Sequence, residues 1–310
     1  MIDYHPKNWA SLLYKGHSGR LRTFLFINVL LMGTYSLFVI LVFHYWYPIE
    51  WVLKTGVHSL LGIVLGLVLV FRTNTAYDRW WEGRKAWGAL VNHSRTFAMK
   101  MSVNLKPEDT QNRVFFARVL GDFAHALKNH LRGISRPDDL EHEIYPEKAF
   151  AGTPHIPNRL ALLLHSRLGH VLSTGKISGD QYIVANRELE GLVDVLGICE
   201  RIKNTPIPIS YSIYIKKFLL LYLVSLPLGF KEEFNLWTIP AVMFITYVLL
   251  GIEMIAEEVE DPFGVDANDL PTGEIAKNIR KNVDELLKDN EFEANVKNWD
   301  SPKWKVNLVD

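Results

Sequence analysis

The chain carries 11 His, 34 Asp and Glu and a single Cys, so the first question is whether any sit at spacings that make a reactive centre. His125 with His130, and His165 with His170, are each five apart, which on a helix turns the two rings to different faces. That spacing predicts ordinary surface or structural histidines. Cys199 stands alone, which excludes an intramolecular disulfide and a cysteine-based zinc site. No Gly-x-Ser-x-Gly elbow, phosphate loop, dinucleotide fingerprint or His-Glu-x-x-His pair occurs, so nothing supports an enzyme and no cofactor is expected. Carboxylate oxygen is concentrated between Glu257 and Asp269. There Glu258, Asp261, Asp266 and Asp269 read either as donors to a hard cation or as a solvated acidic tail.

The most distinctive stretch, Arg72 to Gly88, mixes charge and aromatics. In one reading Tyr77, Trp80, Trp81 and Trp87 form an interfacial belt, with Arg79, Arg84 and Lys85 as the charges on its inner side. In the other, the helix continues out of an apolar layer and Asn74, Asp78 and Arg79 make polar bonds that fix it against neighbouring subunits. Both stay open on residue types alone.

The elements that must position these residues follow from clumped hydrophobicity. Phe24 to Tyr47 holds 24 residues without Asp, Glu, Lys or Arg, enough to cross a hydrocarbon core of roughly 30 Å. Thr55 to Phe71 is a shorter second block, in which Gly56, Gly62 and Gly66 offer small faces for close helix contact. Phe218 to Phe230 and Phe234 to Ile252 pair as a helical hairpin around the polar turn Lys231 to Glu233, with Pro227 and Pro240 near the turn. Four Lys and Arg precede the first block and six fall between Arg72 and Lys100, against Lys54 and Lys231 in the connecting turns. The positive-inside rule then puts both termini and the middle of the chain in the cytoplasm. Zero net charge argues against a nucleic-acid binder.

These blocks divide the chain into an N-terminal segment 1–23, two membrane helices with a cytoplasmic extension 24–99, a cytoplasmic helical region 100–214, two further membrane helices 215–256, and an acidic tail 257–310. Amphipathic patterns predict helices at Asn112–Leu131, Asn158–Leu172, Asp180–Ile202 and Ala276–Lys288. The fold class expected is an all-α membrane protein with four membrane helices per subunit and a cytoplasmic helical bundle. Coupled transport would call for ionisable groups inside the spans and two related halves; His44 and His58, near span ends, read as interfacial. Ile63, Leu67 and Phe71 form one stripe at i, i+4 and i+8, which either lines a pore or faces lipid or a neighbouring helix. A non-conducting membrane scaffold is a further reading.

Three passages resemble the bestrophin family, especially its bacterial and plastid branch: Phe71–Gly88 around Asp78-Arg79-Trp80-Trp81, Pro206-Ile207-Pro208 with Tyr211, and Asp261-Pro262-Phe263-Gly264 with its following acids. The likeness runs from about residue 10 to 270. It implies a homopentameric ion channel of a bacterial inner membrane, surrounded by lipid, passing small monovalent ions through a neck at Ile63, Leu67 and Phe71 and a cytoplasmic aperture at Ile207. It implies anions such as chloride. Sodium or general cation conduction is the alternative, because Glu50, Glu232 and Glu233 outweigh Lys54 and Lys231 in the outer turns. Animal members of the family bind calcium after Pro-Phe-Gly, but Val265, Ala267 and Asn268 interrupt the acids here and leave fewer oxygens than Ca²⁺ wants.

Overall fold

In the computed structural model, residues 19–45, 55–134, 140, 145, 150, 153 and 155–288 are described, and among them every regular element is helical. In chain order these are α1 (Gly19–Tyr45), α2 (Thr55–Asn104), α3 (Thr110–Leu131), α4 (Ile156–Ser173), α5 (Gly179–Asn204), α6 (Ile209–Phe234), a 3₁₀ turn (Asn235–Trp237), α7 (Thr238–Glu260) and α8 (Thr272–Lys288). Glu50, Lys54, Trp46 and Tyr47 lie outside the described residues, as do most of the Pro-bearing stretch before α4 and the chain beyond Lys288. Two compact units divide the chain: Met1–Glu82 with Asn204–Leu270, and Gly83–Lys203 with Pro271–Asp310.

In the first unit, three stretches are long and apolar enough to cross a membrane: Leu21–Tyr45, Gly56–Asn104 and Ile209–Glu260 at their described bounds, the second running on into the other unit. The last contains both α6 and α7, so four helices meet the expectation. The hairpin differs from it in where it turns. Lys231, Glu232 and Glu233 are helical in α6, and the chain reverses at Asn235, which takes a positive φ of 47° before the 3₁₀ turn. Helical backbone tolerates such charges at a span end, because long side chains reach out of the apolar layer. Tolerance of the left-handed region is a property of Asn. Leu65 and Leu69 of α2 pack with Ile215, Leu219, Leu223 and Leu226 of α6 and with Val242 of α7 in one apolar cluster.

Two of the glycines that permit close approach within this unit join α2 to α6. A Cβ at Gly62 would meet the Tyr222 hydroxyl at 2.6 Å, and one at Gly229 would meet the His58 ring at 2.5 Å. Gly56 and Gly66 face open space, so only one of the three predicted contact glycines is a close contact. His58 is itself a correction. It is 1% exposed, and its Nε2 lies 3.1 Å from the Ser225 carbonyl and 3.2 Å from the Ser225 hydroxyl, so it joins α2 to α6 and is no surface group.

The second unit packs α3 against α4 and α8. Its helices begin where the sequence supplies caps. Asp109 accepts from the Asn112 backbone N–H at the start of α3, and Ser178 and Gln181 exchange reciprocal bonds at the start of α5, a capping box. Arg113 donates to the carbonyls of Ser102 at 2.6 Å and Leu105 at 2.8 Å, satisfying the open C-terminal end of α2 with a cation. Helix α8 buries Ala276, Ile279, Val283 and Leu287, the three-and-four spacing of a one-faced helix. Gly121 makes room for the Arg280 stem, whose guanidinium reaches Asp122.

Asp122 is fully buried and also accepts from the Tyr145 hydroxyl at 2.7 Å. Replacing it with Ala strands a cation and a hydroxyl together, a loss on the order of 3 kcal/mol for a buried pair broken on one side. Asp122→Ala is therefore expected to lower the melting temperature of the purified protein clearly, with Asp122→Asn intermediate because its single amide oxygen still accepts from one of the two partners.

Candidate functional site

The site is built on α2. Burial divides this helix by face. Leu65, Leu69, Arg72 and Ala76 are at most 2% exposed, whereas Ile63, Leu67 and Phe71 are 71%, 57% and 57% exposed. Side chains at 63 and 65 differ by about 200° around a helix, so the stripe lies opposite the packed face. This row lies within a broader exposed apolar face of α2 that also holds Leu60, Val64 and Val70, and the described residues leave it uncovered.

One turn further on, the apolar helix carries a charge inward. Arg72 is 1% exposed, and its Nη2 donates to Glu260 Oε2 at 2.6 Å, with Nε 3.8 Å from Glu253 Oε2. A buried guanidinium would be costly without such a partner. Glu260 does more than neutralise it. Its second oxygen, Oε1, accepts the Ile207 backbone N–H at 3.0 Å, and its main-chain carbonyl accepts from Arg79 Nε at 3.2 Å. Arg79 Nη1 also donates to the Thr205 carbonyl at 2.6 Å, and Trp80 Nε1 donates to the Asn268 carbonyl at 3.0 Å. The end of α7 therefore ties α2, just past Phe71, to the Thr205–Ile207 passage.

These bonds settle what two of the motif residues do within the chain. Arg79 and Trp80 fasten α2 to its own unit, while Asn74 and Asp78 are exposed and Trp81 is 46% exposed. Trp87 is fully buried and so is not part of an interfacial belt. Glu260 was invisible to pattern reading, because its partners lie 188 and 53 residues away and no local spacing signals them.

The four acidic candidates do not converge. Among the described residues they bring no three ligand atoms within 4.8 Å of one another. Glu258 accepts from the Asn268 amide at 2.8 Å. Asp269 is buried, and its Oδ2 accepts from the backbone N–H of Asp266, which closes the loop from Gly264 onward. A solvated tail does not describe Asp269, and neither does a preformed calcium site, since Oδ2 is already committed and six to eight oxygens are not in place. Burial, reinforced by the negative neighbours Asp266, Asp261 and Glu258, pushes the Asp269 carboxyl up to about 6, although the Asp266 N–H pulls the other way.

A carboxyl raised in the folded state favours folding while protonated, and that contribution fades as pH climbs from the ordinary value of 3.8 through about 6. Asp269→Asn should flatten the pH dependence of the melting temperature across that window. Glu260→Ala is expected to cost on the order of 3 kcal/mol by stranding buried Arg72. Glu260→Gln should cost less, since it still accepts the Ile207 N–H, and thermal melts of the two variants provide the comparison.

A family model for bacterial/fungal bestrophin protein matches residues 1–285. A protein of Nostoc, named a voltage-dependent anion channel-forming protein, is 40% identical over 230 residues, covering 73% of this chain and 75% of its own. A Synechocystis protein of the same name is 35% identical over 291 residues, covering 91% and 92%. The crystal structure of a bacterial bestrophin homolog from Klebsiella pneumoniae superposes with a TM-score of 0.79 at 30% identity, covering 84% of this chain and 98% of that one. An apolar row on the second helix, an Arg-Trp pair bonded further along the same helix and a match running nearly the whole length agree: this chain is a membrane protein of the bacterial/fungal bestrophin family.

Proposed function

We propose that the chain assembles as a homopentamer in the bacterial inner membrane, with both termini in the cytoplasm, and conducts small anions such as chloride through an apolar neck. The carrying observation is the exposed row Ile63, Leu67 and Phe71 on a helix whose other face is fully packed. Turned toward a shared axis, five copies stack this row into three apolar rings. A hydrated ion crosses such rings only when they widen or wet, so side-chain size at these positions sets the barrier. Ile207, half-buried and held through its backbone by Glu260, forms a second ring at the cytoplasmic exit.

Support for anions comes from the names of the Nostoc and Synechocystis relatives, both described as anion channel-forming. A cation-conducting pore of the same build is the second reading, favoured by Glu232 and Glu233 against Lys231 where α6 turns toward α7. Of the two histidines that secondary transport would call on, His58 joins α2 to α6 through Ser225 and His44 stands in the last turn of α1. The role is that of a channel and not of an enzyme, with lipid and the permeant ion as its remaining partners.

Leu67→Ala, Ile63→Ala and Phe71→Ala are each expected to raise single-channel current severalfold while native mass spectrometry shows the pentamer intact. Unchanged current in all three contradicts the neck assignment, and a complex of any other size contradicts the stoichiometry.

A further inference from the structure

A cluster unrelated to the row on α2 lies within the second unit. His130 near the end of α3, His155 at the start of α4 and Glu200 on α5 meet with their ligand atoms within 4.8 Å of one another. His130 Nε2 is 2.7 Å from Glu200 Oε1, and His155 Nε2 is 2.6 Å from the same oxygen. The two rings lie 4.3 Å apart between centroids, inclined at 37°. Side chains 26%, 28% and 28% exposed leave a path for solvent to a further position.

We propose that His130, His155 and Glu200 form a binding site for a divalent transition metal of the zinc class. Two imidazoles and one carboxylate are the donor set such ions prefer, and magnesium or calcium would ask for more oxygens. Tetrahedral zinc with bonds of about 2.0–2.2 Å separates its ligand atoms by about 3.3 Å, so each ring withdraws from Glu200 by only about 0.6 Å to admit the ion. A water completes the fourth position. The ring protons are accounted for. His155 Nδ1 accepts the Asn158 backbone N–H at 3.2 Å, which places the proton of the neutral ring on Nε2, toward Glu200. Coordination through Nε2 moves that proton to Nδ1 and exchanges the long cap bond for a metal bond. His130 likewise frees Nε2 by holding its proton on Nδ1. Glu200 contributes its negative charge, and water leaves the hydration shell of the ion.

The site pins the first turn of α4 to α3 and α5.

The test is a calorimetric titration of chelator-treated, full-length protein in detergent with zinc chloride. One ion per subunit is expected. His130→Ala, His155→Ala and Glu200→Gln should each weaken binding about tenfold or more, since loss of an outer-shell partner alone costs that much. His165→Ala, whose ring pairs with Asn186 at 3.0 Å elsewhere, should leave binding unchanged. Cobalt(II) titrated into the wild-type protein should give the intense visible absorption of a four-coordinate ion, a readout that needs no variant to fold. Absence of saturable zinc binding, equal binding by the three variants, or the weak absorption of six-coordinate cobalt each overturns the proposal.

Discussion

A buried guanidinium organises the first unit. Arg72 sits at the end of an apolar helix face where water does not reach it, and a cation in that position persists only with an anion beside it. Glu260 supplies the anion from the last turn of α7, and with its other oxygen it takes the backbone N–H of Ile207. The end of the apolar part of α2, the end of α7 and the passage into α6 are therefore held through one carboxylate. Arg79 repeats the arrangement one pair of turns later by donating to the carbonyls of Glu260 and Thr205. A shift of α7 would be felt at both proposed constrictions of the same subunit.

Helices were legible from the residues because their signals are local. Asn112–Leu131, Asn158–Leu172 and Asp180–Ile202 appear as Thr110–Leu131, Ile156–Ser173 and Gly179–Asn204, with helix ends at most two residues outside the periodic pattern. The hairpin turn was displaced because Lys231 to Glu233 look like a break, yet the backbone stays helical through them, with the Lys231 ammonium 4.8 Å from the Phe43 ring centroid. Helix α2 runs for 50 residues, well past the apolar block that announces it, and propensity does not explain the extension, since Thr73, Asn74, Thr75 and Asp78 are poor helix formers.

The site was legible in part. Burial separates Ile63, Leu67 and Phe71 from the packed face as their spacing suggests, but the same spacing fits a lipid-facing row, and only family resemblance turned it toward a pore. Contacts distant in sequence stayed hidden. His130 was read against His125, five residues away, when its neighbour is His155, and Glu200 approaches from a third helix. His58 looked interfacial because it lies near a span end, and Gly229 is what lets α6 come close enough to bury it. Asp269 looked like part of an exposed acidic tail, yet its carboxyl turns back on the backbone of its own loop.

Charge selectivity bears most directly on the functional conclusion, because an apolar neck discriminates little by sign and the acids Glu232 and Glu233 at the end of α6 favour cations. The measurement is the reversal potential of single-channel current through purified protein in a planar bilayer under a sodium chloride gradient. Reversal near the chloride equilibrium potential is the result expected of an anion-conducting neck. Reversal near the sodium equilibrium potential would contradict anion conduction while leaving the fold in place, and silence from well-reconstituted protein would contradict the channel itself.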